Sequence, residues 1–277
     1  MKEKHMNPAR LRHTYSAAIG LALLLLTSSV RPDGPDEYAA YAPHEEQTYQ
    51  AKSCLHDARG EERCAQSRLT VTRFPDAKWL DALLAQKAVC CVFGALETYR
   101  AAGFQAVVDT LAQLDEAYKE GDEYISGDES YGELKFGGRY GGFLQFSYHV
   151  WTYSAGAAHG QGGIENFLLN VDTHAPVALE EILVTPEKRA ALDERQRAAY
   201  RDWLVEHKVT SSDRKEQDAF LAEWFSPNGN WKIVKDGLAF NYSSYEAGPY
   251  AIGMPEVRVP KAALEGIVKP GILKLIP

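Results

Sequence analysis

Between Phe143 and Thr152 the chain alternates without a break. Phe143, Gln145, Ser147, His149 and Trp151 fall on one side; Leu144, Phe146, Tyr148, Val150 and Thr152 fall on the other. A period of two sustained over this length specifies an extended strand, because successive side chains leave a pleated backbone on opposite faces. Both faces carry aromatic rings, and such a strand requires ladder partners. Shorter strand signals supply them at Arg68 to Phe74, Glu165 to Val171 and Glu256 to Val259, the last ended by Pro260. Another comes from Trp231 to Lys235 and Leu238 to Ser243, which flank the dipeptide Asp236-Gly237. Asp-Gly readily supplies the positive φ angles of a type I′ turn, so this segment predicts a hairpin.

Helical spacing separates these strands. Pro75 and Asp76 open a helix whose apolar stripe is Trp79, Leu80, Leu83, Leu84, Ala88 and Cys91, and Phe104, Val107, Val108, Leu111, Leu114 and Tyr118 define a second. Burial against a sheet accounts for both stripes without a cofactor. Thr185 with Pro186 reads as an N-cap followed by proline at the first helical position, opening a charged helix to about His207. That helix buries Leu192, Ala199, Tyr200, Trp203 and Leu204. Gly121 to Ser130 reads as an acidic turn region, and Asp172-Thr173-His174 as a turn. Helices and antiparallel strands alternate without a regular βα repeat, which predicts an α+β fold: an antiparallel sheet with packed helices. We expect a smaller N-terminal subdomain at 67–140 and a larger C-terminal one at 141–277.

The N-terminus carries an address. Lys2, Lys4, Arg10 and Arg12 precede an apolar run from Ala17 to Leu26. That run is roughly ten residues, the length of a signal-peptide core and short for a membrane span. Residues 1–29 are thus read as a signal peptide or an uncleaved leader, the latter being the one membrane attachment expected. Residues 30–66 are read as a flexible tether and a disulfide-containing segment, with little structure over 31–50. The expected location is periplasmic or secreted. Four cysteines, Cys54, Cys64, Cys90 and Cys91, form an even set that suits an oxidising compartment. Cys54 and Cys64 bracket a polar stretch containing Gly60, and a bridge closing that loop is the preferred pairing. Cys90 and Cys91 are neighbours near a helix end, where a mutual bridge would be strained, so one is expected to be buried as a thiol.

Charge narrows the function. With 30 basic against 38 acidic residues, the chain lacks the cationic field of a phosphate-tracking nucleic-acid binder. Removing residues 1–29 deletes four cations and one anion and leaves 26 basic against 37 acidic residues, a net charge of −11. Such a surface attracts cationic partners at low salt, although simple solubility accounts for it equally well. Paired carboxylates for glycoside hydrolysis cannot be nominated from spacing, and H-E-x-x-H and G-x-x-x-x-G-K-[ST] are absent. No cofactor and no metal site is expected.

Two segments carry candidate chemistry. Tyr153-Ser154-Ala155-Gly156-Ala157-Ala158-His159-Gly160 is a small-residue loop after the aromatic strand. His159 there is either a general base or a ring that hydrogen-bonds backbone and pins the loop; no G-x-S-x-G elbow surrounds Ser154. The second is Asn241-Tyr242-Ser243-Ser244-Tyr245-Glu246-Ala247-Gly248-Pro249-Tyr250-Ala251-Ile252-Gly253. Tyrosine offers large, stiff, amphipathic contact area suited to a binding face. The alternative has Tyr245 and Tyr250 packed beneath the loop and Glu246 capping amides. Asn241-Tyr242-Ser243 also matches a glycosylation triplet, a match frequent by chance.

These motifs in order resemble a known family. The His159-Gly160 loop, Asn166-Phe167, Leu179-Glu180-Glu181-Ile182 and Asp236-Gly237-Leu238-Ala239-Phe240 are followed by Tyr245-Glu246-x-x-Pro249-Tyr250-Ala251-x-Gly253 and Glu256-Val257-x-Val259-Pro260. Together they are similar to the extracytoplasmic domain of RsiV-type anti-sigma factors, also found in PdaC-type peptidoglycan deacetylases. Arg73-Phe74-Pro75 and the Trp79-Leu80 helix resemble that family's N-terminal subdomain, so the likeness covers about 67–277. The resemblance implies a non-enzymatic domain that binds lysozyme and covers its active-site cleft. By that likeness His159, Tyr245, Glu246, Tyr250 and Glu256 are the candidate binding residues. The stretch before the hydrophobic run is too short to hold a sigma factor, and no deacetylase domain is appended, so neither activity is expected. A lysozyme-like basic protein is the expected partner, with peptidoglycan as the alternative and a hydrolase using His159 as the third reading.

Overall fold

The computed structural model describes residues 41–42, 46–56, 62–92, 129–154 and 156–277. The leader, the helix expected over 104–118 and most of the tether lie outside them. The α+β expectation holds, with a large antiparallel-rich sheet and several helices. Six strands form one sheet in chain order: β1 (Glu46–His56), β2 (Glu62–Thr72), β3 (Glu129–Tyr140), β4 (Phe143–Tyr153), β5 (Gln161–Asn170) and β6 (Ala175–Pro176). Every neighbouring pair is antiparallel except β2 with β3, which run parallel. A smaller antiparallel sheet comprises β7 (Trp231–Val234), β8 (Gly237–Asn241) and β9 (Glu256–Pro260).

Strand β1 begins at Glu46, inside the stretch read as tether, and pairs along its whole length with β2. Cys54 and Cys64 are direct partners across that hairpin and are bonded as a disulfide, as the sequence suggested. Strand β3 was hidden in the sequence. Gly132, Gly137 and Gly138 interrupt its apolar alternation, and a bulge between Phe136 and Gly138, the latter at φ 127°, shifts the register. The β3–β4 ladder runs from the Glu129–Tyr153 pair to the Tyr140–Phe143 pair.

The first helix, α1 (Lys78–Val92), starts two residues after Asp76, behind a turn in which the Ala77 amide donates to the Phe74 carbonyl. Of its predicted stripe, Leu80, Leu84 and Ala88 are fully buried against Leu69, Val71, Leu134, Phe146 and Tyr148 of the sheet, and Trp79 and Leu83 are partly buried beside them. The Tyr148 hydroxyl donates to the Ala88 carbonyl at 2.7 Å, so even this polar atom is bonded in the core. Asp81 locks the helix start to the end of β2, accepting two bonds from the Arg73 guanidinium and one from the Phe74 amide. Cys90 and Cys91 lie in the last turns of α1, and their side chains are outside the described set.

The opposite face of β4 and β5 carries a second core. Leu168 points there while its neighbours Phe167 and Leu169 point toward α1, the period of two placing one strand between two cores. Short helix α2 (Leu179–Ile182), α3 (Lys188–Glu206), α4 (Arg214–Trp224) and the C-terminal turns α5 (Lys261–Leu264) and α6 (Pro270–Leu273) build this layer with the small sheet. Helix α3 buries Leu192, Gln196, Tyr200 and Leu204, a stripe at intervals of four. Thr185 and Pro186 form the turn before it, their carbonyls accepting from Lys188 and Arg189, so helical geometry starts slightly later than the sequence signal. Helix α4 escaped the sequence reading; Asp213 caps it, accepting from the Lys215 amide at 2.7 Å.

Polar side chains stitch the two sheets together. Gln145 on β4 reaches Ile233 on β7, its Nε2 donating to the carbonyl at 3.0 Å and its Oε1 accepting the amide at 2.7 Å. This acts as a side-chain extension of the β ladder. Asn230 accepts from the amide and side chain of Asn166 and donates to the Ile164 carbonyl, and Asn166 also donates to Asn241. Satisfaction of this kind is what lets amides sit between two cores.

The predicted β7–β8 hairpin is present with a different turn. Val234 pairs with Gly237, which leaves Lys235 and Asp236 as the two turn residues, and Asp236 takes the left-handed conformation at φ 71°. Gly237 is the first residue of β8. A Cβ there would lie 2.2 Å from the Val259 carbonyl oxygen, so the glycine serves the approach of β9 rather than the turn.

Candidate functional site

The loop after β4 and the loop after β8 meet beside the N-terminal end of β5. Gly160 has to be glycine, because a Cβ would fall 2.4 Å from the Trp151 ring. That close approach brings His159 beside the second loop. The Gly162 amide donates to the Ser244 hydroxyl, the Ser244 amide donates back to the Gly162 carbonyl, and the Ile164 amide donates to the Ser243 hydroxyl. Ser243 and Ser244 thus continue the ladder of β5 by one turn.

A β-turn follows at Ser243 to Glu246, closed by the Glu246 amide on the Ser243 carbonyl. The Glu246 carboxylate accepts the Ser243 amide at 2.7 Å and the Asn228 side-chain amide at 3.1 Å. Its role is the amide capping anticipated from the sequence. The third position of this turn is Tyr245 at φ 67°, a conformation that ordinarily selects glycine or asparagine. The backbone therefore holds a bulky ring where a small residue would be relaxed, and the ring is turned outward.

His159 completes the cluster. Its Nδ1 lies 3.0 Å from the Gly160 carbonyl, which can only accept, so Nδ1 carries the proton and Nε2 accepts from the Tyr245 hydroxyl at 2.8 Å. The imidazole stacks on Tyr250 at 3.7 Å between centroids and 15° between planes. Both ring nitrogens are thus engaged by a carbonyl and a phenol. The geometry is that of a histidine that pins the loop and holds two tyrosines in place. Beneath it, the fully buried Tyr200 donates to the Ala247 carbonyl, and Ile252 packs on Gly248, where a Cβ would approach its Cδ1 to 2.6 Å. Burial raises the Tyr200 and Tyr242 phenols well above their ordinary range.

The sequence-nominated residues divide. His159, Tyr245, Glu246 and Tyr250 come together, with Glu246 serving the turn. Glu256 stands apart on β9, held by Lys232 at 2.8 Å and Arg258 at 2.7 Å. Burial would raise its pKa, but the bonds from Lys232 and Arg258 outweigh that and hold it below the usual carboxylate range. Asn241 of the glycosylation triplet is buried and bonded to Asn166, which closes it to modification in the folded chain. Met254 was not nominated. It lies over Gly162, where a Cβ would come within 2.8 Å of its sulfur, and it borders a cleft of about 510 Å³ with Trp203, His207 and Glu256. Among the described residues, no three His, Cys, Asp or Glu side chains converge on a metal-sized site.

Residues 181–262 match the family described as a protein of unknown function, DUF3298. The chain carries a DUF3298 domain. It runs from α2 through β9 and includes the tyrosine loop, whereas His159 lies outside the matched segment. A solved DUF3298 family protein from Pseudomonas aeruginosa PAO1 is 23% identical, with a TM-score of 0.61 over 86% of this chain and 99% of that one. Another from Bacteroides fragilis NCTC 9343 is 19% identical, with a TM-score of 0.59 over 84% of this chain and 96% of that one. These likenesses establish a shared fold that extends well beyond the matched DUF3298 segment. A search of curated proteins found no match.

Proposed function

We propose that the chain is an exported, non-enzymatic binding protein that docks a cationic, lysozyme-like cell-wall hydrolase on the face made by Tyr245, His159 and Tyr250. The observation that carries this reading is Tyr245 itself, a large ring held outward at a φ that disfavours it. Backbone strain of this kind persists where the surrounding bonds over-determine it, and it concentrates at functional sites. Tyr245, Tyr250 and Met254 are 45%, 37% and 41% exposed, so three of the five exposed large apolar side chains among the described residues cluster on one loop. Exposed aromatic patches of this sort mark interaction sites.

Three further points support the reading. The Tyr-Glu-x-x-Pro-Tyr-Ala-x-Gly run resembles that of RsiV-type lysozyme-sensing domains, and its residues form the exposed loop. The exported portion, at a net charge of −11, is complementary to a strongly basic partner. The Cys54–Cys64 disulfide suits an oxidising compartment, and no helix among the described residues is long and apolar enough to cross a membrane.

Calorimetric titration against a c-type lysozyme at low and moderate salt tests the proposal. Saturable heat, weaker at the higher salt, is expected, together with inhibition if the partner's cleft is covered. Absence of heat and of inhibition at both salts would refute it. Retention on purified sacculi with no response to lysozyme would instead favour peptidoglycan as the ligand of the same loop.

A further inference from the structure

The two sheets overlap only in part. On the face opposite α1, Gln145 and Asn166 lie beneath the small sheet, whereas the same face of β1, β2 and β3 extends beyond it as a shelf. Register fixes what the shelf presents. Arg68 on β2 is the partner of Tyr131 on β3, which is the partner of Trp151 on β4, which is the partner of Gly162 on β5. Two residues along each strand, Thr70, Glu133 and His149 form the next row. Met254 stands at the edge of the second layer, over Gly162, and the step between shelf and layer is a cleft of about 250 Å³ floored by these two rows.

The rings are ordered. Tyr131 and Trp151 lie 5.5 Å apart with planes 26° from parallel, Trp151 and Tyr153 lie 6.2 Å apart at 11°, and the Arg68 guanidinium sits 5.1 Å from the centre of the Tyr131 ring. A near-parallel aromatic row at the foot of a step is flanked by a hydroxyl, a carboxylate and a guanidinium, groups that donate and accept hydrogen bonds. Burial, reinforced by the positive charge of Lys232, lowers the His149 pKa. Glu133 is paired with Lys135 at 2.7 Å. The lining of the cleft thus presents the Arg68 guanidinium beside the Glu133–Lys135 pair. Its volume lies just below the range of ordinary small-ligand pockets.

We propose that this cleft binds a saccharide, with apolar C–H faces of the sugar against Trp151 and Tyr131 and hydroxyls toward Arg68, Thr70 and Glu133. The ligand chemistry follows from the pairing of flat apolar rings with a hydroxyl, a carboxylate and a guanidinium that donate and accept hydrogen bonds, the complement of a pyranose. The site is distinct from the Tyr245–Tyr250 face: its floor is β2, β3 and β4, and Met254 is the element the two surfaces share.

The experiment is an NMR titration of the full chain with chitotetraose and, separately, cellotetraose, following the Trp151 indole N–H. Saturable shifts with at least one oligosaccharide are expected. Tyr131→Ala and Arg68→Ala should each weaken binding about tenfold, as loss of one stacking or charged hydrogen-bond partner implies. These variants complement Trp151→Ala, which also disturbs the packing of Gly160. Tyr250→Ala should leave saccharide affinity unchanged, which separates this site from lysozyme docking. No shift with either sugar at millimolar concentration, or binding lost in Tyr250→Ala and retained in Tyr131→Ala, would overturn the proposal.

Discussion

The seam between the two sheets and the tyrosine loop are built from the same chemical material and use it in opposite ways. In the seam, Gln145, Asn166, Asn230 and Asn241 turn their polar groups inward on backbone and on one another. Tyr200 and Tyr242 are fully buried nearby, with hydroxyls on the Ala247 carbonyl and on Gln196. In the loop, Tyr245 and Tyr250 also have a polar partner or a stacked ring in His159, yet their remaining surface faces solvent. The contrast teaches what hydrogen bonding accomplishes in each place. In the seam it fixes how the layers meet; in the loop it fixes the pose of rings that pack on His159 and on each other and leave one side to solvent.

That contrast is breakable by substitution. The largest effect is expected from Gln145→Leu, which strands the Ile233 amide between two cores and leaves its carbonyl only the Tyr140 hydroxyl at 3.5 Å. At about 1–3 kcal/mol for each orphaned buried group, partly relieved by relaxation, a loss of roughly 2–4 kcal/mol is expected in urea unfolding. Asp81→Asn should come next, at about 1.5–3 kcal/mol, because it removes charge-assisted bonds to Arg73. Burial opposes ionisation of Asp81, but the bonds from Arg73 and the Phe74 amide prevail and its folded pKa is lowered. A lowered carboxylate contributes stability that is present above the unfolded value, about 3.9, and is lost as pH falls through the folded value. The wild type should therefore lose stability below about pH 4 more steeply than Asp81→Asn.

Tyr200→Phe sharpens the link between the regions, since it removes the bond that holds the loop from below. About 1 kcal/mol of stability should be lost, with wider amide exchange in residues 245–250 as the local readout. The smallest stability change, within about 0.5 kcal/mol, is expected for Tyr245→Phe, which frees only a half-exposed histidine nitrogen. If Tyr245→Phe destabilised the chain as much as Gln145→Leu, the loop would be part of the structural core and the contrast would fail.

Much of the fold was legible because periodicity reports burial directly. The β4 alternation, the α1 stripe and the Leu192–Tyr200–Leu204 face of α3 each appear where the pattern placed them. Strand β3 was illegible because its glycines and exposed charges erase the alternation, and its partner β2 lies parallel to it across a long connection. Gly237 misled for a related reason: the constraint that selects it is the Val259 carbonyl on another strand. For the site, composition pointed to the tyrosines and to His159, and Glu246 proved to be the amide cap considered for it. The cross-strand row of Arg68, Tyr131 and Trp151 had no linear signature, since three strands supply one residue each.

The central claim is that the outward rings of Tyr245 and Tyr250 form the docking face for a basic hydrolase. Lysozyme binding isotherms of the wild type and of the Tyr245→Ala/Tyr250→Ala variant, measured side by side with unfolding curves, test it most directly. The account predicts saturable binding that the double substitution abolishes while the unfolding midpoint moves little. Equal affinity in the two proteins, or no binding by either, would contradict it.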